Sequence, residues 1–554
     1  MPEESAVSEE YMVPDEYWRN RGLDPVVADQ VGYIVRQFRL QKDIAIGVVI
    51  IDHAPEDRYA KGVSFMYAKD QLIVREQYRR QVEEILARRF GLEPTEVQRV
   101  VAGIVSFPSL RKISRGKGKP PESVSDNMTP GNEATSKGNE NSGMTPEGDK
   151  PSGSSGSGSA TPSGGNGESS EDNDKCPECG EKQHPEDEPC VLTILAVIDK
   201  ELGKGIATPN HVLTVAGDMG PCPATEPQGA YDDIEPYPSV CPGNDGAGVL
   251  VYVADTGFLT GADTSHSWLA GVTGDPDPLP PEVAGPQGQM IQPIPAYTGH
   301  GTFVAGVIRC MAPGADLYVA NAFLVAGSSL EVDFVQNLEA ALGLGVDIFH
   351  LSVTAPTRWD LPLLSFEGWM ELLHQYKGVV CVVAAGNNGN RLPCWPAAFP
   401  GMVSVGALAA DWHSLADFSN YGGWVDVYAP GRSLINAYAT GTYTCHVAPY
   451  VGQERQFYGM ARWSGTSFST PIVTGLIAAR MSRCGESGQQ AAAALLAQAR
   501  AQTVPGVGAI LLPCCGNGGD KCRDDGCDRC SGSSGGGGRC GGRCGGCGPV
   551  RRPC

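Results

Sequence analysis

The 554-residue chain lacks any apolar run of about eighteen residues, the length a membrane-spanning helix requires, so no membrane partner is expected. It is also short of basic residues, with 42 Lys and Arg against 63 Asp and Glu and a formal net charge of -21. Phosphate and anionic lipid surfaces are bound by clustered Lys and Arg, so a general nucleic-acid or membrane-surface binder is excluded. The opening stretch "MPEESAVSEEYMVPDEYWRN" has neither a basic segment nor an apolar one, and no secretory signal is expected. The literal reading is a cytoplasmic protein, with secretion by an unrecognised route as the alternative. Between about 112 and 188 large apolar residues are almost missing. Such a stretch cannot bury enough surface to offset its ordering entropy and is expected to be a disordered linker.

Cysteine is present but uneven. Of 19 cysteines, nine follow Pro513 in a Cys/Gly-rich tail, 513–554, and seven are scattered from Cys222 to Cys484. In a reducing compartment the scattered ones are most simply small buried hydrophobes. "CPECGEKQHPEDEPC" offers Cys176, Cys179, His184 and Cys190 in a spacing that approximates a zinc knuckle, since three thiolates and an imidazole suit a tetrahedral ion. Zinc is possible there or in the tail. Against the knuckle, Cys190 starts an apolar run that reads as part of a folded strand.

Residues 20–111 read as a small α+β unit. "DIAIGVVIID" and "DQLIVRE" have strand character, and "QYRRQVEEILARRFG" has helical spacing with a glycine stop. The run from 190 to 217 is expected to complete this unit. From about 240 to 512 apolar strands such as "GVLVYVAD", "ADLYVANAF", "VDIFHLSV", "VVCVVAAG" and "MVSVGAL" alternate with helical segments. That pattern predicts an α/β fold of three layers, a mostly parallel sheet covered by helices, with its function at the carboxyl ends of the strands.

Four stretches carry chemistry. "GVLVYVADTGF" ends a buried strand in Asp255, where a carboxylate needs a charged or hydrogen-bonding partner; a helix cap or turn is the bland alternative. "YTGHGTFVAGVI" sets His300 between glycines at a helix start, suited to proton transfer or, more plainly, to capping. "SGTSFSTP" sets Ser467 at a helix N-terminus, where backbone N–H groups favour a developing oxyanion; a simple serine N-cap is the alternative. "VVAAGNNGN" ends a strand in Gly386 and Asn387, whose amide could donate to the same oxyanion or merely make a turn.

Together, and in the order Asp, His, Asn, Ser, these motifs resemble the catalytic domain of a subtilisin-like serine protease. "MAPGADLYVANAF", "FSNYGGWVDVYAPG" and "PAAFPGMVSVGA" resemble further blocks of the family. The resemblance implies a serine endopeptidase working through an acyl-enzyme: Ser467 as nucleophile, His300 as general base, Asp255 orienting the imidazole, and Asn387 with the Ser467 N–H as oxyanion hole. No cofactor is implied for catalysis. Phe303 replaces the second histidine of His-Gly-Thr-His. Cys310 leads directly into the next strand where many bacterial members insert a calcium loop, so the strong family calcium site is expected to be absent. In "HLSVTAP", Thr354 replaces an expected glycine. Ser352, Val353, Thr354 and Gly386 are the expected lining for a polypeptide substrate bound as an extended strand. The N-terminal unit loosely resembles the propeptides that chaperone and inhibit subtilases, with a recognition or scaffold domain as the alternative. For the whole chain, the rival is a partner-gated or inactive peptide-binding module.

Overall fold

A computed structural model describes residues 15–23, 25–52, 61–113, 189–215, 224–230, 235–284, 289–323, 327–447 and 449–513. The N-terminal unit begins with α1 (Asp15–Asn20), α2 (Pro25–Lys42), β1 (Ile46–Asp52) and β2 (Lys61–Arg75). It continues with α3 (Arg79–Ile85) and the pair β3 (Gln98–Val101) and β4 (Ile104–Phe107). After the stretch that falls outside the described residues, it resumes with α4 (Val191–Leu202) and β5 (Ala207–Val215). β2 pairs antiparallel with β1, β4 and β5, so β5 lies inside the sheet. One face of this sheet is packed by α3 and α4 around Leu72, Val74, Leu86 and Leu195, and the other by α1 and α2 around Trp18, Ile34, Phe38 and Met66.

The run after Cys190 is a helix, not the strand expected from its apolar content. Its buried residues Val191, Leu192, Ile194, Leu195 and Ile198 recur at three- and four-residue spacing, which puts them on one helical face. Cys190 sits at the start of that helix, half-buried, with its sulfur 3.5 Å from the Tyr67 hydroxyl. Cys176, Cys179 and His184 lie outside the described residues, as does the tail from Cys514 onward.

The second unit is built on a parallel sheet. Its strands are β6 (Leu250–Asp255), β7 (Asp316–Asn321), β9 (Ile348–Leu351), β11 (Val380–Ala384), β12 (Val403–Leu408) and β13 (Val427–Pro430). Two short strands outside this sheet, β8 (Ser328–Leu330) and β10 (Val353–Thr354), fall between them in the chain. The sheet order is β7-β6-β9-β11-β12-β13, with Thr273–Gly274 at the β7 edge and every neighbouring pair parallel. β6 therefore stands where the winding reverses, the position at which open α/β sheets leave a crevice.

Helices α5 (His300–Met311), α6 (Glu331–Leu342), α7 (Leu364–Leu373) and α8 (Thr466–Cys484) cover the faces, followed by α9 (Gly488–Ala501). A long hairpin, β14 (Leu434–Thr444) and β15 (Glu454–Trp463), leads directly into α8. Among the described residues no helix is long and apolar enough to cross a membrane.

α8 is buried all round, with 17 of its 19 residues inaccessible, which is why it shows no apolar stripe. It crosses α5 at Gly475, where a Cβ would stand 2.5 Å from the Met311 Cβ and 2.8 Å from the Ile308 carbonyl oxygen. No larger residue permits that approach, and the approach brings the helix that starts at His300 against the helix that starts at Thr466.

Candidate active site

Asp255 closes β6 with its side chain fully buried. Its Oδ1 accepts from the Thr256 backbone N–H at 2.8 Å and lies 2.7 Å from Nδ1 of His300. With the carboxylate on Nδ1, the imidazole carries its proton there and turns Nε2 the other way. His300 is the first residue of α5 and is also fully buried. Its ring packs against Phe468 at 5.2 Å and edge-on to Trp463 at 5.5 Å between centroids.

Ser467 is the second residue of α8, in the first turn, where the backbone N–H groups of a helix have no intrahelical acceptor. The structure therefore brings His300 onto Asp255 and onto the residue next to Ser467. Ser467 Oγ and His300 Nε2 are not hydrogen-bonded to each other; each is buried without a hydrogen-bond partner, as is the second oxygen of Asp255.

The proline inside "SFSTP" has a local consequence. In a helix the N–H of residue 471 would bond to the carbonyl of Ser467, and Pro471 has no N–H. The Ser352 hydroxyl donates to that carbonyl instead, at 3.4 Å, and lies 3.0 Å from Nε2 of His350. His350 reaches the Thr474 hydroxyl with Nδ1 at 2.9 Å, so it joins β9 to α8 beneath the serine. The Ser352 hydroxyl is turned inward, toward α8 and His350.

Burial, with a smaller repulsion from the charge of His300, pushes His350 from an ordinary 6.5 down to about 3. Below about pH 6.5 the unfolded chain takes up a proton that the folded chain refuses. The stability this histidine contributes is thus present above pH 6.5 and lost as pH falls toward 3, at about 1.4 kcal/mol per pH unit. Replacing His350 with glutamine should flatten the unfolding free energy against pH by about that slope between pH 6.5 and 4, read by urea titration. An identical slope in the two proteins would contradict the burial argument.

Asn387 follows Gly386 at the end of β11. Gly386 has φ of 97°, in the left-handed region, and a Cβ there would meet the Asn420 amide nitrogen at 2.6 Å. Its N–H is held by the Thr466 hydroxyl at 3.2 Å. Asn387 Oδ1 accepts from the Thr466 N–H at 2.8 Å and from the Thr466 hydroxyl at 3.0 Å. The carbonyl end of this amide is thereby fixed on the residue before Ser467, and its NH2 end is the donor end.

Val353 and Thr354 form β10, which pairs antiparallel with Val215 and Thr214 of β5; β8 pairs with the other edge of the same strand through Thr214, Leu213 and Val212. The carboxyl end of β5 is therefore an added strand between two strands of the second unit. Thr354 is fully buried and its hydroxyl has no hydrogen-bond partner. Phe303, in place of a second histidine, packs on Phe468 and Trp463.

Sequence reasoning misses Thr256, Thr466, His350 and Asp277 at this site. Thr256 and Thr466 sit inside the quoted motifs, so adjacency is a usable signal for them. Asp277 lies in "GDPDPLP", which reads only as a turn, and His350 lies inside an apolar strand.

At the switch point of the parallel sheet a buried carboxylate, Asp255, is bonded to His300, whose ring packs on Phe468, the residue after Ser467 at the start of α8. Residues 246–518 match the model of the Subtilase family. The chain is 30% identical over 242 residues to Subtilisin Savinase of Lederbergia lenta, covering 42% of this chain and 76% of that one. It is equally similar to the M-protease of Shouchella clausii, 30% over 242 residues, but covers 54% of it, so the chain spans about half the length of that relative. A solved cold adapted subtilisin-like serine proteinase overlays on 49% of this chain and 91% of its own, at 22% identity and a TM-score of 0.36. The chain belongs to the Subtilase family.

Proposed function

We propose that the protein is a serine endopeptidase. The observation that carries the reading is the 2.7 Å bond between Asp255 and His300 Nδ1, made beside a helix-start serine whose neighbouring N–H is fixed by Asn387. Ser467 Oγ attacks the carbonyl carbon of the scissile bond while its proton passes to His300 Nε2. Asp255 stabilises the imidazolium, and the oxyanion takes hydrogen bonds from the Ser467 N–H and the Asn387 NH2 group. The carbon–nitrogen bond then breaks as His300 returns the proton to the leaving amine. Water, deprotonated by the same imidazole, hydrolyses the acyl-enzyme. The substrate is a polypeptide lying as a strand against β10 and β8, with Val353 and Thr354 giving backbone pairing. Cleavage of a peptide library by the wild type and by Ser467→Ala tests activity and preference together.

The N-terminal unit acts as an internal inhibitor on this reading. What supports it is the seat of β5 between β8 and β10, the place an extended substrate would need. Side chains of both units reinforce the seat. Arg358 meets Asp199 of α4 at 2.8 Å with both side chains buried, and Lys204 stacks 3.6 Å over the ring of Trp359. His211 of β5 lies 3.1 Å from Glu331 and accepts from the Arg358 N–H. Removing one partner of a buried ion pair costs about 3 kcal/mol or more, because the other charge stays buried. Asp199→Ala in the full chain should therefore loosen the unit and raise peptide hydrolysis, by up to on the order of 100-fold. Unchanged or slower hydrolysis by a folded variant would argue for a scaffold role.

The second reading, a partner-gated module, draws on the unbonded Ser467 Oγ and His300 Nε2, both buried. It predicts that a serine-directed fluorophosphonate leaves the isolated chain unlabelled, including the Asp199→Ala variant.

A further inference from the structure

Asp277 lies between the strand that ends in Asp255 and the helix that begins at His300. It is buried, 6% exposed, and absent from the motifs that identify the site. Its Oδ2 accepts from the Gly299 N–H at 2.6 Å and from the Thr256 hydroxyl at 3.0 Å. That hydroxyl in turn accepts from the Gly301 N–H at 3.1 Å. Gly299 and Gly301 are the residues on either side of His300. Thr256 also gives its own N–H to Asp255 Oδ1, the oxygen that faces the imidazole. One carboxylate thus fixes the peptide on both sides of the histidine, and the threonine it holds is the residue that fixes Asp255.

We propose that Asp277 is a positioning residue for the imidazole of His300, holding the Gly299 N–H directly and the Gly301 N–H through the Thr256 hydroxyl. Gly299 has φ of 84°, and glycines on both sides of a histidine leave its backbone few intrinsic restraints. Gly301 cannot be larger, since a Cβ there would meet the Gly257 carbonyl oxygen at 2.4 Å. The restraint that side chains at 299 and 301 cannot supply comes from hydrogen bonds, and Asp277 terminates them. Burial pushes its carboxyl from 3.8 up to about 7, opposed by the two hydrogen bonds and aided by the charge of Asp255. Asp255 is the charged group acting on it, and His300 follows Gly299 directly, so a change of charge at Asp277 is felt where proton transfer occurs.

The inference rests on the reading of the site as a protease. Its test uses the full-length chain with Asp277→Ala, Asp277→Asn and Thr256→Val, measuring kcat and KM for a fluorogenic peptide from pH 5 to 10. Fluorophosphonate labelling and the low-field proton resonance of the His300 Nδ1–H are followed in parallel. Asp277→Ala should lower kcat by roughly 100-fold with KM nearly unchanged, as a misplaced catalytic group does. Asp277→Asn keeps an oxygen for Gly299 and should lose less. Its acid limb should move to lower pH, because one nearby negative charge that favours the imidazolium is gone. Thr256→Val should lower kcat, again without a matching change in KM. A folded Asp277→Ala with wild-type kcat and pH profile, or one altered only in KM, overturns the proposal. If that variant does not fold, unchanged kcat in both Asp277→Asn and Thr256→Val does so. If the wild type neither cleaves nor labels, the protease reading itself fails. The low-field resonance then decides: a shift or loss in Asp277→Asn or Thr256→Val upholds the positioning role, and an unchanged signal overturns it.

Discussion

Replacing Ser467 with alanine should lower kcat for a peptide substrate by on the order of 10⁶-fold, a magnitude carried over from subtilisin, while KM changes little. The serine is buried in the first turn of α8 and its neighbours are held independently of its hydroxyl. The Thr466 N–H goes to Asn387, and the Ser467 carbonyl takes the Ser352 hydroxyl. Loss of Oγ therefore removes no structural hydrogen bond, since Oγ makes none. The melting temperature of Ser467→Ala should match the wild type. A fall in activity accompanied by a large fall in melting temperature would mean that the serine is structural. The residual rate, above that of water, should come from the oxyanion donors and from substrate binding.

The second large effect is expected at Asp255. Asp255→Asn should lower kcat by roughly 10⁴-fold with the fold intact. Asp255 Oδ1 serves both the Thr256 N–H and His300 Nδ1, and Oδ2 is buried without a partner. An asparagine that keeps its oxygen toward His300 buries an NH2 group where Oδ2 stood and gives the imidazolium no countercharge. Turned the other way, it offers a donor to Nδ1 and drives the proton to Nε2, where it blocks the serine. Both orientations impair the same step. A kcat–pH profile of Asp255→Asn that keeps wild-type height would remove Asp255 from the mechanism.

Much of the site is legible in the sequence because its residues end buried strands or begin buried helices. Asp255 closes an apolar strand, His300 opens α5 after a glycine, and Ser467 stands among small residues at the start of α8. The parallel sheet is equally legible, since strands covered on both faces read as continuous apolar runs. Other parts are not. The hairpin of β14 and β15 mixes polar residues and interior glycines, Gly441 and Gly459, so neither periodicity stands out. α9 is rich in alanine and only partly buried, which leaves little apolar contrast. In the run after Cys190, apolar content alone suggests a strand, and only the three- and four-residue spacing of the buried positions gives the helix. The supporting groups escape for a different reason. His350 and Asp277 act through partners far along the chain, and nothing local marks them. The seat of β5 between β8 and β10 is likewise a contact between segments more than 100 residues apart.

The central claim is that Ser467 is made nucleophilic by His300. The most direct measurement is mass mapping of the full-length chain after reaction with a small fluorophosphonate. The expected result is one adduct, on Ser467, formed at a rate that collapses in His300→Ala. No adduct on Ser467, or one that forms equally fast without the imidazole, would contradict it.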